Sequence, residues 1–211
     1  MNIVFDFGAV LFTWRPADMM KECFPQQAAS ADEATHLAQA VFGHADWHQF
    51  DRGTLAMQDV IAQATQRLGL NEAVFTSLVH SIGTRLTPIE ESVAILRRLH
   101  QRRLQLPQIK LYYLSNMPQP YARVLEQCHP FLQWFDGGIF SGDVHLIKPE
   151  PAIYQMLQDR HDLDPAQTVF IDDLQGNVQA ARALGWAGIH FESAAQLLTQ
   201  LTHMGLIPAG H

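Results

Sequence analysis

The sequence has few cysteines and no long apolar run. Among its 211 residues, the two cysteines, Cys23 and Cys128, stand far apart. Two such thiols do not form a disulfide framework, so we expect both to be free in a reducing compartment. No apolar run approaches the roughly 18 to 20 residues that span a bilayer, which predicts a cytoplasmic protein with no membrane partner. The apolar start from Met1 to Leu11 lacks a basic beginning, which favours a buried strand over a signal sequence.

Basic residues are also scarce, with 14 lysines and arginines against 21 acidic residues and a net charge of −7. This balance argues against a partner that is bound through its phosphate backbone, so we expect no nucleic acid. Charged residues make up 17% without forming a polar tract, and hydrophobic residues make up 47%. The chain is therefore expected to be globular, and we predict a monomer or a weak homodimer.

Short apolar runs alternate with helical patterns, which predicts an α/β fold with a Rossmann-like parallel sheet covered on both faces. The predicted strands are Asn2–Phe5, Ile109–Leu114, Gly138–Phe140, Thr168–Ile171 and Ala187–Phe191. The predicted helices of this core are Ile89–Leu104, Pro118–Cys128, Pro149–Asp159, Asn177–Leu184 and Ala194–Met204.

One interval interrupts the alternation. Between about Pro16 and Arg85 we find helical patterning, as in Ala31–Phe42 and Met57–Leu68, but no convincing strand. This predicts a helical cap over residues 15–85, inserted into an α/β core formed by residues 1–14 and 86–211.

Polar residues follow the predicted strands at the points where those strands end. Ligands of open parallel sheets bind outside these carboxyl ends. The residues concerned are Asp6, Ser115, Asn116, Asp172 and Asp173, with Lys148 a few residues after the third strand.

Three carboxylates and one ammonium in one crevice would carry a formal charge of −2. Two carboxylates about 4 Å apart repel by roughly 4 kcal/mol at an effective dielectric near 20, so a divalent cation is expected. Mg²⁺ suits oxygen ligands of this kind, whereas zinc would require His or Cys at ligand spacing. His44 and His48 have i, i+4 spacing but lack a third ligand.

Four segments together resemble the motifs of the haloacid dehalogenase-like hydrolase superfamily. They are Asp6-Phe7-Gly8-Ala9-Val10, Leu114-Ser115-Asn116, Lys148-Pro149, and Asp172-Asp173 with Asn177. The resemblance covers nearly the whole chain. It is strongest to the branch with a helical cap after the first motif, and within it to sugar-1-phosphate phosphatases and the N-terminal phosphatase domain of soluble epoxide hydrolases.

The resemblance implies a Mg²⁺-dependent phosphatase of small phosphorylated metabolites, with sugar phosphates as the expected substrates. Asp6 would be the nucleophile and form an aspartyl-phosphate, assisted by Ser115 and Lys148. The implied metal ligands are Asp6, the carbonyl of Gly8, Asp172 and Asp173, of which Asp173 is the stronger candidate for direct coordination. The implied phosphate and substrate contacts are Ser115, Asn116, Lys148 and, in the cap, His48 and Arg52.

Two of these assignments have structural alternatives. Ser115 and Asn116 precede Pro118 and could cap a helix, and Asn177 could do the same for the next one. Trp14 and Arg15, just after the first motif, are candidate gate or hinge residues.

The sequence departs from the family pattern at Gly8, where most of these phosphatases carry a second aspartate that protonates the leaving oxygen. General acid–base help is typically worth 10² to 10⁴-fold, so its loss would slow hydrolysis without removing the other contributions. We expect a good leaving group, such as an anomeric sugar phosphate, or a proton from His48 or Asp51.

Two other functions stay open. A metal-independent 2-haloacid dehalogenase is disfavoured by the Asp172-Asp173 pair, and Gly8 is the best support for a non-catalytic relative.

Overall fold

The core of the protein is a single parallel sheet, as predicted. A computed structural model describes residues 1–208, in which five strands lie in the order β3-β2-β1-β4-β5. These strands are β1 (Asn2–Phe5), β2 (Lys110–Ser115), β3 (Gly137–Phe140), β4 (Thr168–Asp172) and β5 (Ala187–His190). Each lies at a predicted strand, with ends that differ by no more than one residue, and the predicted α/β class is confirmed.

Both faces of the sheet are covered by helices because the central strands are apolar on both sides. Ile3 and Phe5 pack into one hydrophobic cluster and Val4 into another, and all three are fully buried. The core helices are α6 (Glu90–Arg102), α7 (Gln119–Cys128), α8 (Ser141–Val144), α9 (Pro151–His161), α10 (Gln175–Ala183) and α11 (Ala194–His203). The first cluster contains residues of α6, α7 and α11, and the second contains residues of α9 and α10.

Two predicted helix starts differ from the structure by two residues, and one of them is that of α10, which begins at Gln175 and not at Asn177. The helix after Lys148 begins at Pro151 and not at Pro149, with Glu150 in extended conformation as its N-cap. Pro151 has no N–H to leave unpaired, and its fixed φ suits the first helical position.

The interval between β1 and α6 is helical, and we call residues 16–85 the helical insert. Its helices are α1 (Pro16–Cys23), α2 (Ala31–Phe42), α3 (Ala45–Arg52), α4 (Met57–Leu68) and α5 (Glu72–Arg85). The predicted helices α2 and α4 have the expected bounds. Ser30 forms a capping box with Glu33 at the start of α2, which explains why that boundary is sharp.

Helix α3 is attached to the core by contacts at its C-terminal end. The Ser141 hydroxyl donates to the backbone carbonyl of Asp51 over 2.5 Å. Arg52 forms a two-pronged ion pair with Glu150 and donates to the carbonyl of His145 over 3.2 Å. These contacts hold α3 above the loops that follow β3.

Two further observations concern the thiols and the membrane-spanning potential of the helices. Cys23 and Cys128 are free thiols. No helix within residues 1–208 combines the length and apolarity needed to cross a bilayer.

Gly53 ends α3 where the insert meets the core, and its replacement tests that contact. Its φ is +77°, and a Cβ there would lie 2.5 Å from the carbonyl oxygen of Gly142. Gly69 ends α4 with a φ of +62° but has nothing within 4 Å of a built Cβ. The two glycines therefore give a matched comparison.

We expect Gly69→Ala to lower the free energy of unfolding by about 1–2 kcal/mol through backbone strain alone. Gly53→Ala should lower it by about 2–5 kcal/mol because a backbone clash is added. Urea unfolding measures both, and equal losses would contradict the described contact.

Candidate active site

The predicted site residues meet at one edge of the sheet because the strands are parallel and in register. Phe5 of β1 pairs with Tyr113 of β2 and with Ile171 of β4. Asp6 therefore leaves the sheet beside the end of each neighbouring strand. Those ends carry Ser115 and Asp172. The crevice outside these strand ends is where open α/β sheets bind ligands.

The side chain of Lys148 connects two of the carboxylates. Its Nζ lies 2.9 Å from Asp6 Oδ1 and 2.6 Å from Asp172 Oδ2. Lys148 is 3% exposed, Asp6 7% and Asp172 0%, so water screens these charges weakly. Burial opposes the charged ammonium, but the charges of Asp172 and Asp6 outweigh it and raise the pKa of Lys148 above its usual value. Lys148 is thus held in its charged form between the two carboxyl groups.

Asn116 determines where Lys148 lies. Its Nδ2 donates to the Lys148 carbonyl over 3.0 Å, and the Lys148 N–H donates to its Oδ1 over 2.8 Å. The Asn116 side chain, predicted to contact phosphate, is therefore used on the backbone of Lys148. Neither it nor Ser115 caps α7, whose N-cap is Pro118.

Asp172 is held by donors from the following turn. Asn177 Nδ2 lies 2.9 and 3.1 Å from its two carboxylate oxygens, and the Leu174 N–H donates to Oδ1 over 2.8 Å. Asn177 therefore orients Asp172, while Leu174 is the N-cap of α10. With Lys148 added, both oxygens of Asp172 are already engaged by the protein.

The three predicted acidic residues do form a cluster. Asp6, Asp172 and Asp173 each offer a carboxylate oxygen within 4.8 Å of the others. Beside Lys148 they leave a formal charge of −2, which a divalent cation would neutralise. The donors are all hard oxygens, as Mg²⁺ prefers, so these residues fit that ion. Asp173 is half-buried and lines the cavity above the sheet, together with Gly8.

The surroundings raise the pKa of two of these carboxyls. Burial raises the pKa of Asp6 to about 7, with Lys148 opposing the rise and Asp172 and Asp173 adding to it. Burial, then the charge of Asp172, raises the pKa of Asp173 to about 6. Charge in this cluster is therefore costly until a cation joins it.

The two oxygens of Asp6 differ in their contacts. Oδ1 accepts from the Phe7 N–H over 2.7 Å and lies against Lys148. Oδ2 accepts no hydrogen bond from residues 1–208. One oxygen is thus held by the protein, and the other is left to a ligand.

A cavity of about 250 Å³ lies between this cluster and the helical insert. Its sheet side is formed by Asp6, Gly8, Ser115, Asn116, Lys148, Asp173 and Asn177. Ser115 is 1% exposed, and within the described chain its hydroxyl has no hydrogen-bond partner. This hydroxyl is available to a bound anion.

A family model for haloacid dehalogenase-like hydrolases matches residues 3–185. The chain belongs to this family. It is 27% identical over 201 residues to a sesquiterpene phosphatase of Aspergillus oryzae. The aligned region covers 95% of this chain and 94% of that relative. It is 41% identical over 69 residues to the bifunctional epoxide hydrolase 2 of Mus musculus, covering 33% of this chain and 12% of that protein.

Solved structures of two family members share the fold. A family enzyme from Bacteroides thetaiotaomicron, in complex with magnesium and inorganic phosphate, has a TM-score of 0.65 and 20% identity, over 93% of this chain and 98% of that one. The L-2-haloacid dehalogenase of Xanthobacter autotrophicus has a TM-score of 0.66 and 20% identity, over 98% of this chain and 84% of that one.

In this hydrolase the helical insert and the two residues before it contribute some of the predicted residues to the cavity and not others. His48, Asp51 and Trp14 line it. Arg52 does not, because its guanidinium is bound by Glu150 at the junction with the core, so its predicted contact with substrate is not supported. Arg15 lines a separate cavity with Asp18 and Glu22.

Sequence reasoning named Trp14 as a candidate gate or hinge residue, but it did not indicate that the cavity has an apolar wall. This wall consists of Trp14, Phe42, Trp47, Ile82, Leu86, Met117, Pro118, Tyr121 and Leu174. They come from separate elements, so no local pattern joins them. Leu174 gave no signal in the sequence either, because its 58% exposure is a property of the folded chain.

The acidic cluster predicts that stabilisation by Mg²⁺ depends on pH. When folding raises the pKa of a carboxyl, the free energy of unfolding falls as the pH rises from the unfolded pKa through the folded pKa. For Asp6 and Asp173 this window runs from 3.8 to about 7 and about 6, respectively. Mg²⁺ offsets the charge that appears there, so we expect it to raise Tm more at about pH 8 than at about pH 5.

Thermal unfolding with and without Mg²⁺ at the two pH values measures this effect. The Asp173→Asn protein is the control and should lose most of the Mg²⁺-dependent shift at about pH 8. An equal shift at both pH values would contradict the assignment of the cluster.

Proposed function

We propose that this protein is a Mg²⁺-dependent phosphatase of small phosphorylated metabolites that acts through an aspartyl-phosphate on Asp6. The observation that carries the proposal is the pairing of Lys148 with Asp6 and Asp172 beside Asp173, at the floor of a cavity. The site combines a nucleophile with one free oxygen, a fixed cation and an acidic cluster. Phosphoryl transfer requires such positioning and such compensation of negative charge.

Asp6, Asp173 and the Gly8 carbonyl would hold Mg²⁺. Asp172, which the resemblance implies as a further ligand, would instead anchor Lys148 next to them, because both of its oxygens are engaged by the protein. When bound, Mg²⁺ supplies positive charge that reduces repulsion between Asp6 and the phosphate and offsets charge on the transferring group. The complex of the Bacteroides thetaiotaomicron relative with magnesium and inorganic phosphate supports this proposal by analogy.

In the first step, Oδ2 of Asp6 forms a bond to phosphorus while the bond from phosphorus to the ester oxygen breaks. Lys148 and the Ser115 hydroxyl donate to the phosphoryl oxygens. The products of the step are an acyl phosphate on Asp6 and the alcohol of the substrate, once its oxygen has received a proton.

Asp51 is suited to supply that proton. It lines the cavity from α3, and burial raises the pKa of its carboxyl well above the usual value, although Lys148 and a hydrogen bond from Trp47 oppose the rise. It therefore holds its proton to a higher pH than an ordinary carboxyl does, as suits a general acid. His48 also lines the cavity but is exposed.

The second step regenerates the enzyme. Water attacks phosphorus and gives a proton to the Asp51 carboxylate, while the acyl–phosphate bond breaks to release inorganic phosphate and free Asp6. Asp51 thus acts in turn as acid and base, in place of the aspartate that Gly8 replaces.

The identity of the organic group is the finer question. The resemblance to sugar-1-phosphate phosphatases implies a sugar phosphate, and on that ground alone glucose 1-phosphate would be preferred over glucose 6-phosphate. The matched relatives include a sesquiterpene phosphatase and the phosphoglycolate phosphatase of Escherichia coli, which is 28% identical over 119 residues. Family membership alone does not choose among these.

A haloacid dehalogenase of the same fold is the alternative enzyme, because it would use Asp6 to displace halide without a metal. The Asp172-Asp173 pair favours the phosphatase.

Phosphate release should require both Mg²⁺ and Asp6. With Mg²⁺, we expect turnover of p-nitrophenyl phosphate, and we expect EDTA to abolish it and added Mg²⁺ to restore it. Asp6→Asn removes the nucleophile at nearly constant shape and should lower kcat by about 10⁴-fold or more. Halide release that resists EDTA would establish the dehalogenase instead, and no turnover above the Asp6→Asn control on any phosphate ester would indicate a non-catalytic relative.

Replacing Asp51 should affect substrates according to their leaving groups. Asp51→Asn should lower kcat by about 10² to 10⁴-fold for an alkyl phosphate, whose alkoxide needs a proton. It should affect p-nitrophenyl phosphate much less, because nitrophenolate leaves without one. Steady-state kinetics on both esters measures the difference, with His48→Gln as the matched control.

A second change separates loss of the proton from loss of structure. A Cβ at Gly8 would meet only the Cβ of Trp14, at 3.9 Å, so an aspartate fits there. In the Asp51→Asn protein, Gly8→Asp should restore part of the alkyl phosphate activity. Equal losses on both esters, without rescue, would refute Asp51 as the acid.

A further inference from the structure

We propose that the organic group of the substrate is apolar, so that the enzyme acts on phosphate monoesters of hydrocarbon alcohols. This inference rests on the proposed phosphatase function and concerns the side of the cavity that faces away from the sheet. It comes from the distribution of side chains around the cavity and from how many of the polar ones are already engaged.

The cavity is divided by polarity. Most residues from the strand ends and their loops are polar and lie around the predicted phosphate position, with Met117, Pro118 and Leu174 as the apolar exceptions. The opposite wall is built mainly from apolar and aromatic side chains of α2, α3, α5, α7 and the segments that flank the insert. A phosphate bound at Ser115 and Lys148 would therefore direct its organic group into this wall.

Two polar side chains that line the cavity are already paired within the protein. The Tyr121 hydroxyl donates to the Val79 carbonyl over 2.8 Å. On the sheet side, the Asn116 amide holds the backbone of Lys148. A polyol bound here would lose hydration at several hydroxyls and find few free partners.

A second anionic group on the substrate is also disfavoured. Lys148 is the one Lys or Arg side chain that lines the cavity among the described residues, and it is shared by Asp6 and Asp172. A carboxylate on the organic group would have no counterion and would face the carboxyl of Asp51. The cavity thus provides for one anionic group, which is the phosphate.

The rim of the cavity continues the apolar wall. Leu174 follows Asp173 and is 58% exposed, and Phe42 is half-buried against the rings of Trp14 and Trp47. Exposure of an apolar side chain to water is unfavourable, and a hydrocarbon chain that extends out of the cavity would cover Leu174. Leu174 therefore extends the contact surface for such a chain.

A series of n-alkyl monophosphates from ethyl to octyl tests this proposal. We expect kcat/KM to rise with chain length, by up to about fourfold for each methylene that becomes buried. Glucose 1-phosphate and phosphoglycolate should be poorer substrates than hexyl phosphate. A flat series, or a preference for either polar ester, would overturn the inference while turnover of p-nitrophenyl phosphate would leave the phosphatase itself established.

Two matched leucine variants locate the contact. Leu174→Ala should reduce the increase in kcat/KM with chain length. Leu104→Ala should leave it unchanged, because Leu104 is 91% exposed and does not line the cavity. If kcat/KM increases equally with chain length in the two proteins, Leu174 does not contact the chain.

A binding measurement does not depend on catalysis. Calorimetric titration of the Asp6→Asn protein with n-alkylphosphonates, in the presence of Mg²⁺, should show affinity that increases with chain length and a negative heat-capacity change. If binding follows chain length but no ester is hydrolysed, the apolar cavity stands and the phosphatase proposal fails. If affinity is independent of chain length, the apolar cavity is refuted.

Discussion

The buried ammonium of Lys148 is the interaction on which the site depends. Two carboxylates that are almost inaccessible to water would repel each other strongly without a cation between them. Lys148 lies within 2.9 Å of one and 2.6 Å of the other. Removing one partner of such a pair leaves an uncompensated buried charge, which typically costs about 3–5 kcal/mol. The lysine therefore contributes both to the fold and to the electrostatics of the site.

Several hydrogen bonds fix the positions of Lys148 and Asp172. Asn116 holds the backbone of Lys148, and Asn177 and the Leu174 N–H hold Asp172. These donors are oriented before any ligand arrives, so little reorganisation is needed when charge develops during reaction. The remaining negative charge is larger than one lysine can neutralise, and it accounts for the affinity for a divalent cation that we expect.

The core and its polar cluster were largely predictable because their signals are local. Each strand is a short apolar run, and parallel strands bring their carboxyl ends to one edge whatever their separation in the chain. Asp6 and Asp172 are thus placed together by topology, with no pattern needed to link them directly. The sheet and the acidic cluster followed from these two facts.

The insert was less predictable because its site contacts are set by packing. The sequence does not indicate that Arg52 binds Glu150 or that the amide of Asn116 binds the Lys148 backbone, since both choices depend on how loops meet in space. The apolar wall was missed for the same reason, as its members come from several elements. The helices α1, α3 and α5 were not singled out, and α3 has only eight residues, too few for a clear periodic pattern.

The hydrogen bond that fastens α3 to the core uses main-chain atoms of Asp51. The Ser141 hydroxyl donates to the carbonyl of that residue, while its carboxyl points toward the cavity lining. Any amino acid at this position would keep the same carbonyl and hence the same attachment. Substitutions at position 51 can therefore change the side chain that faces the ligand while the insert keeps its orientation. The reactivity of the site can diverge in this way without a change in the fold.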